Sequence, residues 1–234
     1  MPPPQPPPPP PPPAPLPPPV VVEPAQPPPR IEQPGVHEHD GFYAHFGLGF
    51  GGYTDTVSTE DRVNAAGQPE NVDGVITGFA TVSEVALGGT VGRGFVLGLG
   101  IYSTTVYTST FTPDNESNVV APVEVQRPEN FALGALFADW YFNPHRGLHL
   151  QMGLGFATIT GLNPESPRGV RDRDPAIGGG LMLGIGHEWW VGEQWGIGVL
   201  GRLTAGVLTE KDGDARWTHF AAAFPTMLVT ATYH

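Results

Sequence analysis

The 234-residue chain has no cysteine and a single lysine. Lack of cysteine excludes a disulfide framework, a thiolate metal site and a cysteine nucleophile. Eleven Lys and Arg stand against 23 Asp and Glu, a formal net charge of −12. No basic patch is left to hold nucleic-acid phosphates, so a nucleic-acid partner is excluded. No apolar run reaches about 18 residues, which excludes a transmembrane helix. The spacings GxSxG, HExxH and the phosphate-binding P-loop are missing too. The opening Met-Pro-Pro-Pro-Gln also lacks the basic and apolar regions of a secretory signal, as a mature sequence or a displaced start would.

What is present is unevenly spread. Of 29 prolines, 20 fall within the first 34 residues. Proline fixes φ and removes the backbone donor, so this stretch makes neither helix nor sheet and reads as disordered polyproline II, at most roughly 100 Å long. Residues 1–38 are therefore expected to be a tail, serving as an uncommitted linker, a tether or a PxxP-type ligand. Residues 39–234 are expected to fold as one domain.

Within that domain the dominant signal has period two. Phe42, Ala44, Phe46, Leu48 and Phe50 are apolar, and Tyr43, His45, Gly47, Gly49 and Gly51 between them are polar or small. The pattern returns at Phe95, Leu97, Leu99 and Ile101, at Leu148 to Phe156, at Ile177 to Trp189 and at Trp195 to Val207. Weaker alternation marks about 76–89, 131–142 and 220–233, making eight strands. Short turns at 90–94, 143–147 and 191–194 alternate with longer polar links at about 54–75, 108–130, 160–175 and 209–216.

Two all-β architectures fit this rhythm: an up-and-down barrel in a membrane, with the apolar face outward, and a soluble lipocalin-like ligand binder, with that face inward. In the soluble case the opposite face meets water and should be densely charged. Charged residues make up 15% of the chain, and within the strands they reduce to Glu84, Asp139, Glu188, Arg202 and a few at the ends. The lysine-poor, glycine-rich face belongs inside a narrow closed barrel. The expected fold is thus all-β, an eight-stranded antiparallel up-and-down transmembrane barrel. Trp140, Tyr141, Trp189, Trp190, Trp195 and Tyr233 gather at the short-turn side, where an aromatic girdle would mark a membrane interface.

The segment 184–199, the opening His39-Asp40-Gly41-Phe42-Tyr43 and the ending 228–234 resemble a family of small outer-membrane β-barrel proteins common in myxobacteria and relatives. The resemblance covers residues 39–234. It implies an OmpA-like or OmpX-like barrel in the bacterial outer membrane, tail in the periplasm and long loops outside. The ending also resembles the signal read by the barrel assembly machinery, with Met227, Val229, Ala231 and Tyr233 sharing lipid-facing parity, although Pro225 interrupts the strand and His234 follows the aromatic. Outer-membrane lipid and lipopolysaccharide are the expected partners, and the expected state is a monomer.

Strand parity puts Tyr43, His45, Glu84, His149, Gln151 and Glu188 on the lumen face near the short turns, with Arg202 nearer the middle. Arg202 set between Glu84 and Glu188 would form an internal polar plug. The same residues could instead gate a narrow pore or bind a ligand. His37-Glu38-His39-Asp40 is the densest cluster of metal-ligand types, but it has no second anchoring motif and reads as interfacial polarity, so no metal or other cofactor is expected. Ser83, Glu84 and His45 are residue types of lipid-modifying hydrolases, yet Ser83 has lipid-facing and His45 lumen parity. A non-catalytic structural or surface-interaction role is the leading expectation, with the acidic long loops offered to Ca²⁺, lipopolysaccharide phosphates or a surface partner.

Overall fold

The computed structural model describes Met1, Gln5 and residues 37–60, 73–114, 123–125, 128–161, 175–212 and 215–234. The tail reading falls outside these apart from Met1, Gln5 and residues 37–38, as do the acidic loop residues Asp61, Glu70, Glu116, Glu165, Asp172 and Asp174. The described strands are β1 (Phe42–Glu60), β2 (Gly74–Gly92), β3 (Phe95–Pro113), β4 (Val123–Val125), β5 (Glu129–Tyr141), β6 (Gly147–Gly161), β7 (Ala176–Trp190), β8 (Trp195–Asp212) and β9 (Ala215–Tyr233). Every neighbouring pair is antiparallel. β1 pairs with β2 on one side and with β9 on the other, and β2 pairs with β3, so the eight long strands close into a ring while β4 adds a short ladder to the end of β3.

The ring is turned inside out relative to a water-soluble protein. Leu99, Leu154 and Phe156 are 69%, 71% and 79% exposed, and they belong to an apolar belt that includes Phe46, Leu48, Phe50, Ile101, Leu183, Ile185, Met227 and Val229. Soluble monomers rarely expose apolar patches beyond a few hundred Å². Inward-facing Tyr43, Tyr102, Phe131, Leu133, Phe137, Met182, Leu200 and Leu208 are buried. The chain is an eight-stranded transmembrane barrel with a filled lumen.

Five strands run 18 or 19 residues, well beyond the period-two signal. β1 runs 19 residues, roughly 60 Å along the strand, and a tilt of about 40° leaves about twice the height of an apolar membrane band. The excess lies on the long-loop side: β1 continues through residues 54–60, β3 to Pro113 and β8 to Asp212, all expected to be loop. The last link, expected over 209–216, is in fact a hairpin whose ladder continues to Asp212↔Ala215. Above the belt the outward positions Thr54, Thr56, Ser58 and Glu60 are polar, so the ladder persists while the hydrophobic contrast vanishes.

Pro225 sits at a β-bulge. Thr226 opposes Gly51 and Arg202, the next pairings are Ala223 with Tyr53 and Thr204, and both neighbours skip Phe224 and Pro225. A bulge is where a residue without an N–H can occupy a strand. The lumen parity of β9 switches there, from Thr226, Leu228 and Thr230 to Ala223, Ala221 and His219.

A charge in the belt tests the inside-out assignment. Leu154→Arg should cost roughly 2–4 kcal/mol in denaturant unfolding from phospholipid vesicles if the position faces lipid. A change within about 0.5 kcal/mol would place that face in water.

Candidate functional site

One group of polar lumen residues lies in the short-turn half. Tyr43, His45, Glu84, His149, Gln151, Glu188 and Arg202 are all buried there. An Arg202 N–H donates to Glu84, and the guanidinium carbon lies 5.1 Å from the centre of the Tyr102 ring. His45 stands between the two glutamates: its Nε2 is 2.8 Å from Glu84 Oε1, and its Nδ1 is 3.8 Å from Glu188 Oε1 and 2.8 Å from Thr232 Oγ1. The imidazole thus takes the bridging place expected of Arg202, because Arg202 is committed to Glu84.

Glu188 accepts hydrogen bonds from Thr232 and, at 3.2 Å, from the Tyr141 hydroxyl. Tyr43 donates to Asp139 Oδ2 at 2.8 Å. His149 Nδ1 is 3.0 Å from the Gly147 carbonyl, while its Nε2 and both amide atoms of Gln151 are buried without a hydrogen-bond partner. Ser83 and His45 do not converge: Ser83 pairs with Leu48 in the ladder, whose side chain is exposed on the outer face.

Glycine makes the crowding possible. A Cβ on Gly47 would collide with the Glu84 carboxylate, and one on Gly198 would meet Glu188 and Thr230.

The aromatic girdle needs correction at two positions. Trp140, Trp189 and Trp195 face outward, but Tyr141 is 1% exposed and Trp190 turns in over the floor, its ring 4.8 Å from that of His39. Consecutive residues point to opposite faces, so Trp140-Tyr141 and Trp189-Trp190 cannot each contribute both rings to lipid. Tyr233 is half-buried, with its ring against Trp195.

Local parity cannot reveal the floor itself. Residues 37–41 cross the short-turn end as a strap. The His37 N–H donates to Glu193 O, the His39 N–H to Pro144 O, and the Gly41 carbonyl accepts from the Thr90 N–H, so the strap touches all three short turns. His37 and Glu38 therefore belong with the barrel, whose compact unit is Pro34–His234, and not with the tail. Gly41 has φ +76°, a conformation that suits glycine where the strap turns up into β1.

From the strap the His39 ring enters the barrel, stacks on Tyr141 at 3.6 Å between centroids, and sets Nδ1 2.9 Å from His234 Nε2. His234 Nε2 is 3.3 Å from Glu188 Oε2. Burial first, then the His234 ring, push the His39 imidazole down to about 3. The expected His37–Asp40 cluster is thereby split, with His39 buried and His37 and Asp40 exposed.

A second polar group lies towards the long loops. His219 Nδ1 is 2.7 Å from Asp55 Oδ2, and Tyr53 donates to Glu129 at 2.6 Å. Asp55 had been read as loop, and the signal that could have found it was its parity with Tyr53 and Val57.

In sequence, no protein-family model and no curated protein matches the chain. Solved structures do align. OprG from Pseudomonas aeruginosa is 12% identical, with a TM-score of 0.47, over 85% of this chain and 98% of OprG. Neisserial surface protein A is 10% identical, with a TM-score of 0.41, over 82% and 96%. The outer membrane protease OmpT from Escherichia coli is 9% identical, with a TM-score of 0.37, over 83% and 97%. Likeness at this level assigns no role to any residue.

Removing Arg202 should be costly out of proportion to its size. Arg202→Met leaves Glu84 buried without its cation, at about 3–5 kcal/mol, while Arg202→Met with Glu84→Gln should recover most of it. Denaturant unfolding of both singles and the double gives the coupling, and additive costs would disprove the pair.

Proposed function

We propose that the protein is a non-catalytic barrel of the bacterial outer membrane, with a structural or surface-interaction role and a lumen that conducts no solute. The observation that carries this reading is the filling of the lumen: buried Tyr43, Tyr102, Phe131, Phe137 and Tyr141 pack around the Glu84–Arg202 pair, and His39 stands in the floor. An eight-stranded barrel has an interior just wide enough for such side chains. The apolar belt supports outer-membrane lipid as its surroundings. The alternating last strand suits recognition by the barrel assembly machinery, and ring closure within one chain suits a monomer.

In this reading the strap and short turns face the periplasm, and the long-loop end is presented to lipopolysaccharide and the cell surface. The ladders that rise beyond the belt support it, because stiff hairpins hold a display surface clear of the headgroups.

Planar-bilayer recording of the purified full chain tests the reading. Wild type should show no unitary steps, and expression should leave the lipid A mass spectrum unchanged. Reproducible steps that grow with Arg202→Ala would establish a pore, and a new lipid A species would establish an enzyme.

A further inference from the structure

The floor of the barrel carries three residues of metal-ligand type that are distant in sequence. His39 lies just before β1, Glu188 near the end of β7 and His234 just after β9; all three are buried, and each offers a ligand atom within 4.8 Å of the others. Two of the pairs, at 2.9 Å for His39 Nδ1 to His234 Nε2 and 3.3 Å for His234 Nε2 to Glu188 Oε2, are close to the spacing of about 3.3 Å between ligands of a tetrahedral zinc ion.

Charge points the same way. Glu84, Asp139 and Glu188 are three buried carboxylates in this half of the lumen, and Arg202, the one buried Lys or Arg among the described residues, is committed to Glu84. Glu188 has hydroxyls and imidazoles around it and no fixed cation. An uncompensated buried carboxylate is expensive, and a divalent cation relieves it.

The surroundings are built to hold the ligands still. Thr232 and Tyr141 orient the Glu188 carboxylate, Tyr141 stacks on His39, and the Trp190 and Tyr141 rings meet His234 edge-on at 5.3 and 5.5 Å. On the other side of Tyr141, the His149 ring lies 4.9 Å away between centroids and keeps a buried Nε2 with no hydrogen-bond partner. Such outer partners fix ring orientation in metal sites.

We propose that His39, Glu188 and His234 bind one divalent ion of the zinc class, which clamps the strap and the β1–β9 seam to β7. Two imidazoles and one carboxylate are the donors of a borderline ion, and a three-ligand set leaves a fourth position for water. The role is structural: the ion stitches the segments on either side of the closure to a strand two places round the ring.

The test uses the untagged full chain, folded in detergent and stripped with EDTA. Zinc titration by calorimetry should show one site per chain. His39→Ala and His234→Ala should each weaken it at least about a hundredfold, and His37→Ala, on the exposed neighbour, should leave it unchanged. Absence of one-to-one uptake, or uptake indifferent to His39 and His234, overturns the proposal. Where a variant loses the fast-migrating unboiled band of a folded barrel, zinc-edge X-ray absorption of the wild type decides. Imidazole scattering from two nitrogens supports the site, and an oxygen-only shell overturns it.

Discussion

Everything in this molecule follows from the need to satisfy every backbone N–H and C=O inside a medium that offers no hydrogen bonds. A sheet meets that need by having no edge. Here the edge disappears where β1 meets β9, along a ladder from Ala44↔Tyr233 to Glu60↔Arg216. Once that seam closes, period-two alternation sends one residue set to lipid and the other into a lumen too narrow for bulk water. The apolar belt, the glycines and the buried polar cluster are consequences of the same closure.

The lumen solves a packing problem that an ordinary core does not face. Its side chains converge on an axis from all directions, so large groups fit only where facing positions are small. Gly47 yields to Glu84, Gly198 to Glu188 and Thr230, and Gly186 to His149. The polar residues then satisfy one another across the ring: Arg202 from β8 meets Glu84 from β2, and Tyr43 from β1 meets Asp139 from β5. Such contacts link strands that share no ladder, and they resist changes of cross-section that backbone hydrogen bonds alone permit.

Legibility in the sequence tracked the contrast between faces. Phe46, Leu48 and Phe50 against Gly47, Gly49 and Gly51 announce a strand and its orientation, because lipid demands apolar groups and the lumen demands small ones. The contrast ends at Thr54, where the outward face becomes polar, so the upper parts of β1, β3 and β8 read as loop although their ladders continue. Tyr141 and Trp190 look like girdle residues only while the aromatic clusters are taken whole; adjacency to Trp140 and Trp189 requires one ring of each pair to face inward. The meeting of His39 with His234 was beyond local reading, since they are 195 residues apart and become neighbours only through ring closure. Pro225, an obstacle in a regular strand, makes sense once the bulge is seen.

The strap formed by residues 37–41 has a mechanical consequence. Its backbone is hydrogen-bonded to Glu193, Pro144 and Thr90, one in each short turn. Tension entering the chain at His37 is therefore shared among three hairpins spread around the rim before it reaches Phe42. A pull on His37 meets these three hydrogen bonds before it can begin to unzip β1 from β9.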